Sequence, residues 1–272
     1  MPASDSRGAP PPDDPPAVIL TVEAGVAELV LNRPDKMNAI NDAMVAALLA
    51  GLDAAERGGA RALLVRGEGR AFCSGRDLSD ADPLHEDGEQ ILRDVLNPIV
   101  ERTAGLNMPT IAAVHGACLG TGLGLALACD ILYAADDARI GSPFARIGAV
   151  LDSGAHRAFV DRVGPHRALE LIYTGRLLSG REAAEWGLVN RSVAGADLVR
   201  RARELATSIA RGPTAAFLES KRIVRRIVDE AMPLREVLTA EAAAQGRASR
   251  THDYQDGITA FQEKRKPAFT GS

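Results

Sequence analysis

An apolar segment rich in glycine, His115–Asp130, constrains most strongly how this chain can fold. The β-branched run Thr110–Val114 before it is typical of a buried strand, and a helix pattern begins near Gly122. Glycine lets another molecule approach the main chain closely, and a helix start leaves N–H groups without partners and with partial positive charge. The order of strand, glycine turn and buried helix therefore predicts a site for an oxygen that becomes negative during a reaction.

The size and charge of the chain narrow the class of protein. Its 272 residues fit one large domain with a terminal appendage or two small domains, and a hydrophobic content of 46% provides a sizeable core. A formal net charge of -4 argues against nucleic acid as a partner. Cys73, Cys118 and Cys129 lack metal-site spacing and lie in apolar or glycine-rich contexts, which favours buried, reduced thiols and a cytoplasmic location.

No membrane-spanning or targeting segment is expected. The stretch Thr103–Cys129 carries no Asp, Glu, Lys or Arg, but Pro109, His115 and five glycines interrupt it. The N-terminus lacks a basic start followed by an apolar stretch, which argues against a secretory signal. Residues Met1–Pro16 contain six prolines, and we expect them to form a disordered tail.

Strands and helices alternate in a ββα rhythm up to about residue 135. From Ser153 onward the pattern is nearly all helical, with Leu188–Val193 as the exception. We therefore predict an α/β core over residues 17–193 and a C-terminal helical region over residues 194–272. The predicted elements are a hairpin (Ala17–Glu23 and Val26–Asn32), helices Asn41–Arg57, Leu84–Leu106 and Gly122–Cys129, and strands Arg61–Arg66, Thr110–Val114 and Ile131–Ala135.

Four motifs, in this order along the chain, resemble those of the enoyl-CoA hydratase/isomerase (crotonase) superfamily. They are Leu31–Pro34, Ala71–Leu78, the glycine-rich segment His115–Asp130, and Phe261–Pro267. The resemblance covers residues 18–269 and implies a crotonase-like spiral of ββα turns, with a C-terminal helical region that forms a homotrimer or a dimer of trimers. It also implies an acyl-CoA thioester as substrate. No metal and no separate cofactor are expected, since coenzyme A arrives as part of the substrate.

The same resemblance assigns residues to the binding of the thioester. The oxyanion hole consists of two backbone N–H groups, those of Arg76 and Thr121, which bind the thioester oxygen as an enolate forms. Thr121 stands where the family usually has glycine. The residues that the resemblance assigns to coenzyme A are Lys36, Ala39, Ser74, Arg76, Asp77 and Leu78, together with Phe261 and Lys264 from a neighbouring subunit.

The acidic residues distinguish reactions within the family. Its hydratases resemble one another in having two glutamates, and the matching positions here hold Gly124 and Phe144. Neither residue can hold a water or move a proton, which argues against ordinary hydration. Asp152 remains, as in dienoyl-CoA isomerases and in the ring isomerases of phenylacetate breakdown, where this aspartate shuttles a proton. The resemblance therefore implies an acyl-CoA isomerase with Asp152, Arg76 and Thr121 as catalytic residues.

Several alternatives remain open at this point. The protein is alternatively a hydratase that uses Asp152 with another acid, or a non-catalytic scaffold that binds acyl-CoA. Asp152 also fits the N-cap of a helix starting at Ser153. Chlorobenzoyl-CoA dehalogenases have an aspartate here too, but the aromatic content is only 4% and Glu101–Met108 contains no histidine. A hydrolytic triad of Asp152, Ser153 and His156 is disfavoured because adjacent helical residues point about 100° apart.

Other charged residues favour structural interpretations. Asp77 is a candidate turn former or helix cap as well as a coenzyme A residue. Asp130 is expected to hold the start of the next strand. The basic run Lys221–Arg226 is interpreted as a solvated helix face, with coenzyme A phosphates as the functional alternative. His156, one helical turn from Asp152, is placed to pair with that carboxylate.

Overall fold

A computed structural model of the chain describes residues 15–79, 81–82 and 84–272, in which two β-sheets are surrounded by helices. The predicted disordered tail Met1–Pro16 lies outside the described residues except for Pro15 and Pro16. Within the described ranges, no helix has the length and apolar character that crossing a bilayer requires.

The strands of the described chain are short and mostly buried. They are β1 (Val18–Glu23), β2 (Val26–Leu31), β3 (Ala62–Gly67), β4 (Thr110–Val114), β5 (Ala117–Leu119), β6 (Ile131–Ala135), β7 (Arg139–Gly141), β8 (Leu178–Ser179) and β9 (Arg191–Val193). Six of them form one sheet in the order β1-β2-β3-β4-β6-β9. The β1–β2 hairpin is antiparallel and the other neighbours are parallel, so the apolar runs of β3 and β4 are covered on both faces. The predicted hairpin and the three predicted core strands are confirmed to within one residue at each end.

The second sheet was not predicted from the sequence. It has the order β5-β7-β8, with β5 and β7 parallel and β7 and β8 antiparallel. Each of these strands has only two or three residues, which is too short for an alternating pattern to stand out. β5 leads directly into the glycine turn at Gly120, so this small sheet fixes where the turn begins.

The helices pack around the two sheets. In the described chain they are α1 (Asp42–Arg57), α2 (Gly88–Ile91), α3 (Asn97–Gly105), α4 (Thr121–Ala128), α5 (Ala155–Val163), α6 (Pro165–Thr174), α7 (Gly180–Glu185), α8 (Gly195–Ala210), α9 (Thr214–Glu230), α10 (Leu234–Ala248) and α11 (His252–Glu263). Short 3-10 turns cover Pro34–Lys36 and Pro143–Ile147. The start of α1 is as predicted, because the Asn41 side chain accepts a hydrogen bond from the N–H of Met44 at 3.0 Å.

The predicted helix Leu84–Leu106 is wrong at its beginning. Helical structure starts only at Gly88, where the side chain of Asp87 accepts a hydrogen bond from the N–H of Gln90. A π-helical stretch, Leu92–Leu96, then separates α2 from α3. Pro98 lies in the first turn of α3, where its missing N–H is tolerated.

The last helices and the C-terminal residues are tied back onto the core. The buried carboxylate of Asp253 accepts hydrogen bonds from the N–H groups of Thr270 and Gly271. Arg61, just before β3, donates to the carbonyl of Phe269 and to the hydroxyl of Thr214. These bonds fix the end of the chain beside the main sheet.

Gly122 allows α4 to lie directly against the segment that carries Cys73. A Cβ atom at Gly122 would lie 2.6 Å from the Cβ and Sγ atoms of Cys73 and 2.7 Å from its carbonyl oxygen. Atoms of a real side chain do not approach this closely, so the helix must carry glycine at this position. The contact holds the start of α4 next to the turn that follows Cys73.

We expect Gly122→Ala to destabilise the protein, because the added methyl group must displace main-chain atoms near Cys73. Overpacking of this kind costs about 1–3 kcal/mol of the free energy of unfolding. Gly246→Ala is the matched control, since a Cβ at this helical glycine meets nothing within 4 Å. It should stabilise the protein by about 0.5–1 kcal/mol through helix propensity. Urea unfolding followed by circular dichroism measures both, and equal effects would contradict the packing argument.

Candidate active site

Two glycine turns lie side by side at the start of α4. Gly75 has a φ of +99° and Gly120 a φ of +51°, conformations that favour glycine. A Cβ at Gly75 would lie 3.0 Å from the carbonyl oxygen of Leu119 and 3.8 Å from the Cα of Gly120. The absence of side chains therefore brings the two turns together.

The residues after these glycines, Arg76 and Thr121, present free main-chain donors. The N–H of Ile40 donates to the carbonyl of Gly75, and the carbonyl of Ile40 accepts from the N–H of Asp77, both at 2.8 Å. These two bonds do not use the N–H of Arg76, which lies between Gly75 and Asp77. Thr121 is the first residue of α4, where an N–H has no partner within the helix. Among the described residues, neither N–H donates a hydrogen bond. The two predicted oxyanion donors thus follow adjoining turns, and the one at the helix start carries the dipole's positive end.

The segment Arg33–Ile40 forms a rigid loop beside the Gly75 turn. The N–H of Ser74 donates to the carbonyl of Met37 at 3.0 Å. The guanidinium of Arg33 donates to the carbonyl of Ala39 and lies 3.1 Å from a carboxylate oxygen of Asp77. The structure therefore gathers most of the residues predicted to bind coenzyme A into one patch, namely Lys36, Ala39, Ser74, Arg76 and Asp77.

Asp77 acts as a turn former within this patch, which confirms that interpretation. Its carboxylate accepts hydrogen bonds from the hydroxyl of Ser79 at 2.5 Å and from the N–H of Ser79 at 3.1 Å. The hydrogen bonds from Ser79, followed by the charge of Arg33, lower the pKa of Asp77. A carboxylate held ionised in this way is a poor candidate for a proton shuttle.

The guanidinium of Arg76 pairs with the carboxylate of Glu86 at 2.6 Å. The predicted coenzyme A residues outside the patch, Leu78, Phe261 and Lys264, have exposed side chains. Leu78 is 55% exposed and Phe261, near the end of α11, is 83% exposed. Lys264 lies just after α11 in a left-handed conformation. An aromatic side chain as exposed as Phe261 is available for contact with another molecule.

Gly124 and Phe144, the positions that the resemblance matches to hydratase glutamates, place no acid in this region. A Cβ at Gly124 would lie 2.3 Å from the Cβ of Ser153 and 2.5 Å from its carbonyl oxygen. The ring of Phe144 lies against the oxyanion turn, with its Cζ 3.0 Å from where a Cβ of Gly120 would stand. Ser153 therefore fills the space next to Gly124, and an apolar ring fills the space near Gly120.

Asp152 is a half-buried carboxyl on the loop that contacts α4. Burial raises its pKa above the ordinary value, while the hydrogen bond from Ser153 and the nearby His156 act in the opposite direction. The hydroxyl of Ser153 donates to Oδ1 of Asp152 at 2.8 Å. Ser153 also contacts Gly124, so the carboxyl is attached through one residue to the helix that begins at Thr121.

The alternative interpretation of Asp152 as a helix cap is wrong. Helix α5 begins at Ala155 rather than Ser153, and Gly154, with a φ of +76°, occupies the N-cap position without a side-chain hydrogen bond. Asp152 contributes its main-chain carbonyl, which accepts from the N–H of Ala155 at 3.0 Å. Its carboxylate is therefore free of any capping duty.

The basic run Lys221–Arg226 is not simply a solvated face, so that interpretation is wrong for Lys221. This side chain is only 10% exposed and donates to the carbonyl of Met108 and to Asp130, at 2.8 and 2.7 Å. Burial lowers the pKa of Lys221. Asp130 also accepts from the N–H of Thr110 at 2.9 Å, which confirms its predicted structural role between neighbouring strands.

A cavity of about 780 Å³ lies between α4, α5 and α9. Gly124 and Ser153 line one side of it, and Asp130 and Lys221 line another. Within the described part of the chain, the residues that surround it do not include Asp152, Arg76 or Thr121. This cavity is therefore not lined by the residues predicted to be catalytic.

The cysteines are confirmed as buried thiols. Cys73, Cys118 and Cys129 are all unpaired and inaccessible to solvent. Burial raises the pKa of Cys73 and of Cys129 to about 12. Thiols in this state are not nucleophiles at neutral pH, which leaves Asp152 as the candidate reactive group of this region.

Comparison with known proteins identifies the family. Residues 21–272 match the family model described as enoyl-CoA hydratase/isomerase. The chain belongs to the enoyl-CoA hydratase/isomerase family. This family acts on acyl-CoA thioesters, and the predicted α/β crotonase-like fold is confirmed by its solved structures. One, a putative enoyl-CoA hydratase/isomerase from Mycobacterium abscessus, has a TM-score of 0.88 and 37% identity, covering 94% of this chain and 100% of that one.

Two family members of similar length carry different names. A probable enoyl-CoA hydratase of Rhodobacter capsulatus is 38% identical over 250 residues, covering 92% of this chain and 96% of that protein. The 1,2-epoxyphenylacetyl-CoA isomerase of Escherichia coli is 37% identical over 260 residues, covering 93% and 98%. Family membership therefore gives the enzyme class as hydratase or isomerase.

Sequence reasoning missed several residues that shape this site. The sequence pattern places Ser153 in the first turn of a helix, and it does not predict the hydrogen bond from its hydroxyl to Asp152. Arg33 lies in one of the motifs, but nothing local indicates that it binds Asp77, which is 44 residues away in the chain. Asn38, buried and left-handed, holds the carbonyls of Glu68 and Ala71. Asn is one of the few residues that adopt the left-handed conformation in turns. Asn38 is therefore the one of these three residues that its local sequence could have indicated.

The opposite pKa directions of Asp152 and Asp77 predict opposite effects of pH on stability. Because burial raises the pKa of Asp152, the folded protein holds that proton more tightly than the unfolded chain does. Its contribution to stability is therefore fully present below the unfolded-state pKa and is lost as the pH rises through the folded-state pKa. We expect Asp152→Asn to be more stable than the original protein at neutral pH, with the difference vanishing in acid.

Asp77→Asn provides the matched comparison, because the folded-state pKa of Asp77 is lowered. This variant should be less stable than the original protein at neutral pH, and the difference should disappear as the pH falls through that lowered pKa. Thermal unfolding from about pH 2 to pH 8 measures both trends, because the Asp77 difference changes only below the unfolded-state pKa of aspartate. The same sign for the two variants at neutral pH would contradict the electrostatic description of the site.

Proposed function

We propose that this protein is an enoyl-CoA isomerase that shifts a double bond, or rearranges a ring, through an enolate bound by the N–H groups of Arg76 and Thr121. Two observations support the proposal: the N–H groups of Arg76 and Thr121 donate no hydrogen bond within the described chain, and a desolvated carboxyl, Asp152, lies on the loop that contacts the helix beginning at Thr121. Desolvation raises the pKa of a carboxyl toward the value that suits a group taking and returning a proton near neutral pH.

The reaction needs one base and one oxyanion site. For a 3-enoyl-CoA, the carboxylate of Asp152 removes a proton from C2, and the electron pair moves through the thioester to its oxygen. The two N–H groups stabilise that negative oxygen, a contribution typically worth about 10²–10³ in rate for each donor. The protonated Asp152 then returns the same proton to C4, which leaves the double bond between C2 and C3.

Hydration would require a water molecule held by acidic side chains. The contacts of Gly124 and Phe144 argue against such a water at these two positions. A larger residue at 124 has no room, because Ser153 is within 2.3–2.5 Å of the Cβ position. The Phe144 ring offers no hydrogen bond to a water beside the oxyanion turn. The name of the E. coli relative supports an isomerase, whereas the R. capsulatus relative is named as a hydratase.

The proposal includes the binding of coenzyme A and the assembly of subunits. The patch of Lys36, Ala39, Ser74, Arg76 and Asp77 would hold the nucleotide, with Leu78 beside the pantetheine arm. Exposed apolar side chains on α9, α10 and α11 support burial in a homotrimer or dimer of trimers, in which Phe261 and Lys264 of one subunit would reach the coenzyme A of its neighbour. No metal and no separate cofactor take part in this scheme.

Incubation with a 3-enoyl-CoA in D₂O tests the reaction. An isomerase shifts the double bond to C2 and, when the carboxyl exchanges its proton with solvent, incorporates deuterium, both visible by mass spectrometry and NMR. A hydratase supplied with the 2-enoyl-CoA instead forms a 3-hydroxyacyl-CoA, and a scaffold protein changes neither substrate. Formation of the hydroxy product at rates comparable to isomerisation would overturn the proposal.

Asp152→Asn tests the role of the acid. We expect its isomerase activity to fall by about 10²–10⁴, the usual contribution of a general acid–base group, while acyl-CoA affinity stays within a few-fold. Asp197→Asn on α8 is the control, because it removes an exposed carboxylate that pairs only with its own helix. Turnover and calorimetric binding are measured for both. Full activity in Asp152→Asn would remove Asp152 from the mechanism.

A further inference from the structure

We propose that Ser153 is the positioning residue of the active site, because its hydroxyl fixes Oδ1 of Asp152 and leaves Oδ2 to exchange a proton with the substrate. This inference rests on the proposed isomerase function and adds to it a second residue with a separate task. Ser153 itself does not touch the substrate in this scheme. It acts through Asp152, and α4 holds it in place.

The hydrogen bond that carries this inference joins a buried serine to a half-buried carboxylate. Ser153 is 5% exposed, and its Oγ donates to Oδ1 of Asp152 at 2.8 Å. Within the described chain, Oδ2 of the same carboxylate accepts no hydrogen bond. The two oxygens of Asp152 are therefore not equivalent, and the unbonded one is the stronger base.

The main chain at Ser153 adopts a conformation that serine rarely takes. Its φ is +54°, in the left-handed region that glycine enters without cost. The next residue, Gly154, has a φ of +76° and shows what the chain ordinarily uses in such a turn. What serine supplies here and glycine does not is the hydroxyl, and that hydroxyl is the group bonded to Asp152.

Gly124 provides the space in which Ser153 sits. A Cβ at Gly124 would lie 2.3 Å from the Cβ and 2.5 Å from the carbonyl oxygen of Ser153, so even alanine would push the serine away. Gly124 is on α4, one turn after the oxyanion residue Thr121. The helix that presents the oxyanion donor therefore also fixes the residue that orients the acid.

This arrangement fits both halves of the proton transfer. When Asp152 is ionised, the Ser153 hydroxyl stabilises the charge on Oδ1, and Oδ2 takes the proton from the substrate carbon. When Oδ2 carries that proton, Oδ1 is a carbonyl oxygen that still accepts the serine hydrogen bond. The carboxyl therefore does not need to rotate between taking the proton and returning it.

Few other charges act on this carboxyl. His156, in the first turn of α5, is the ionisable neighbour whose interaction opposes the effect of desolvation on the pKa of Asp152. Helix α4, packed on Ser153 through Gly124, carries no ionisable side chain from Thr121 to Ala128. Removal of the Ser153 hydroxyl should therefore be visible as a shift in the titration of Asp152, measured with His156 present in both proteins.

Ser153→Ala and Ser153→Gly test the inference together. Both remove the hydroxyl, but glycine accepts the left-handed backbone, so it separates loss of the hydrogen bond from main-chain strain. We expect the acidic limb of the kcat profile to move to higher pH in both variants. The plateau of kcat should fall by about ten- to a hundredfold with KM within a few-fold, as for the loss of one hydrogen bond to a charged group.

Ser142→Ala is the matched control. Ser142 is also a buried serine, and its hydroxyl has no partner in the described chain, so its loss should leave the pH profile unchanged. Titration of Asp152 by ¹³C NMR gives a readout independent of turnover, and its pKa should rise in both Ser153 variants. If Ser153→Gly keeps the original pH profile, kcat and Asp152 titration, the inference is wrong.

The design separates this inference from the proposed function. Isomerase activity in the original protein that Asp152→Asn abolishes, together with an unchanged Ser153→Gly variant, overturns only the role of Ser153. Absence of isomerase activity in the original protein overturns the proposed function itself. In that case the NMR titration still decides whether Ser153 controls the protonation of Asp152.

Discussion

The site depends on close contact between main-chain segments, which only glycine permits. Gly75 and Gly120 bring two turns together, and Gly122 seats the start of α4 against Cys73. Each contact lies at or below ordinary van der Waals separation for an added Cβ, so no other side chain fits without displacement. Among the described residues, the N–H groups of Arg76 and Thr121 that follow these turns donate no hydrogen bond.

In the proposed mechanism, the same helix links binding of the thioester oxygen to placement of the acid. Gly124 lies one turn after Thr121 and makes room for Ser153, which in turn bonds to Asp152. A side chain at position 124 would occupy the volume that Ser153 fills, so the loop could not keep its observed path. At the position that the resemblance matches to a hydratase glutamate, this packing leaves no room for an acidic side chain.

The sequence predicted those helices and strands whose local pattern agrees with the way they pack in the folded protein. Helix α1 with its Asn41 cap and the buried strand β4 have strong local signals, and both were confirmed. The short strands β5, β7 and β8 were missed, because two or three residues show no period. The helix assigned from Leu84 starts at Gly88 instead, since the cap at Asp87 and the π-helical stretch after Ile91 leave no clear mark in the sequence.

By itself, the sequence determined the glycine positions, the family resemblance and the absence of an acid at positions 124 and 144, because these are properties of residue identity in order along the chain. The tertiary structure alone decided that Lys221 is buried on Asp130, that Asp152 is not a helix cap, and that Ser153 fills the space beside Gly124. These facts depend on contacts between residues far apart in the chain and on the volume that each leaves to the other. Desolvation and hydrogen bonding are set by that packing, so the chemistry of Asp152 becomes readable only in three dimensions.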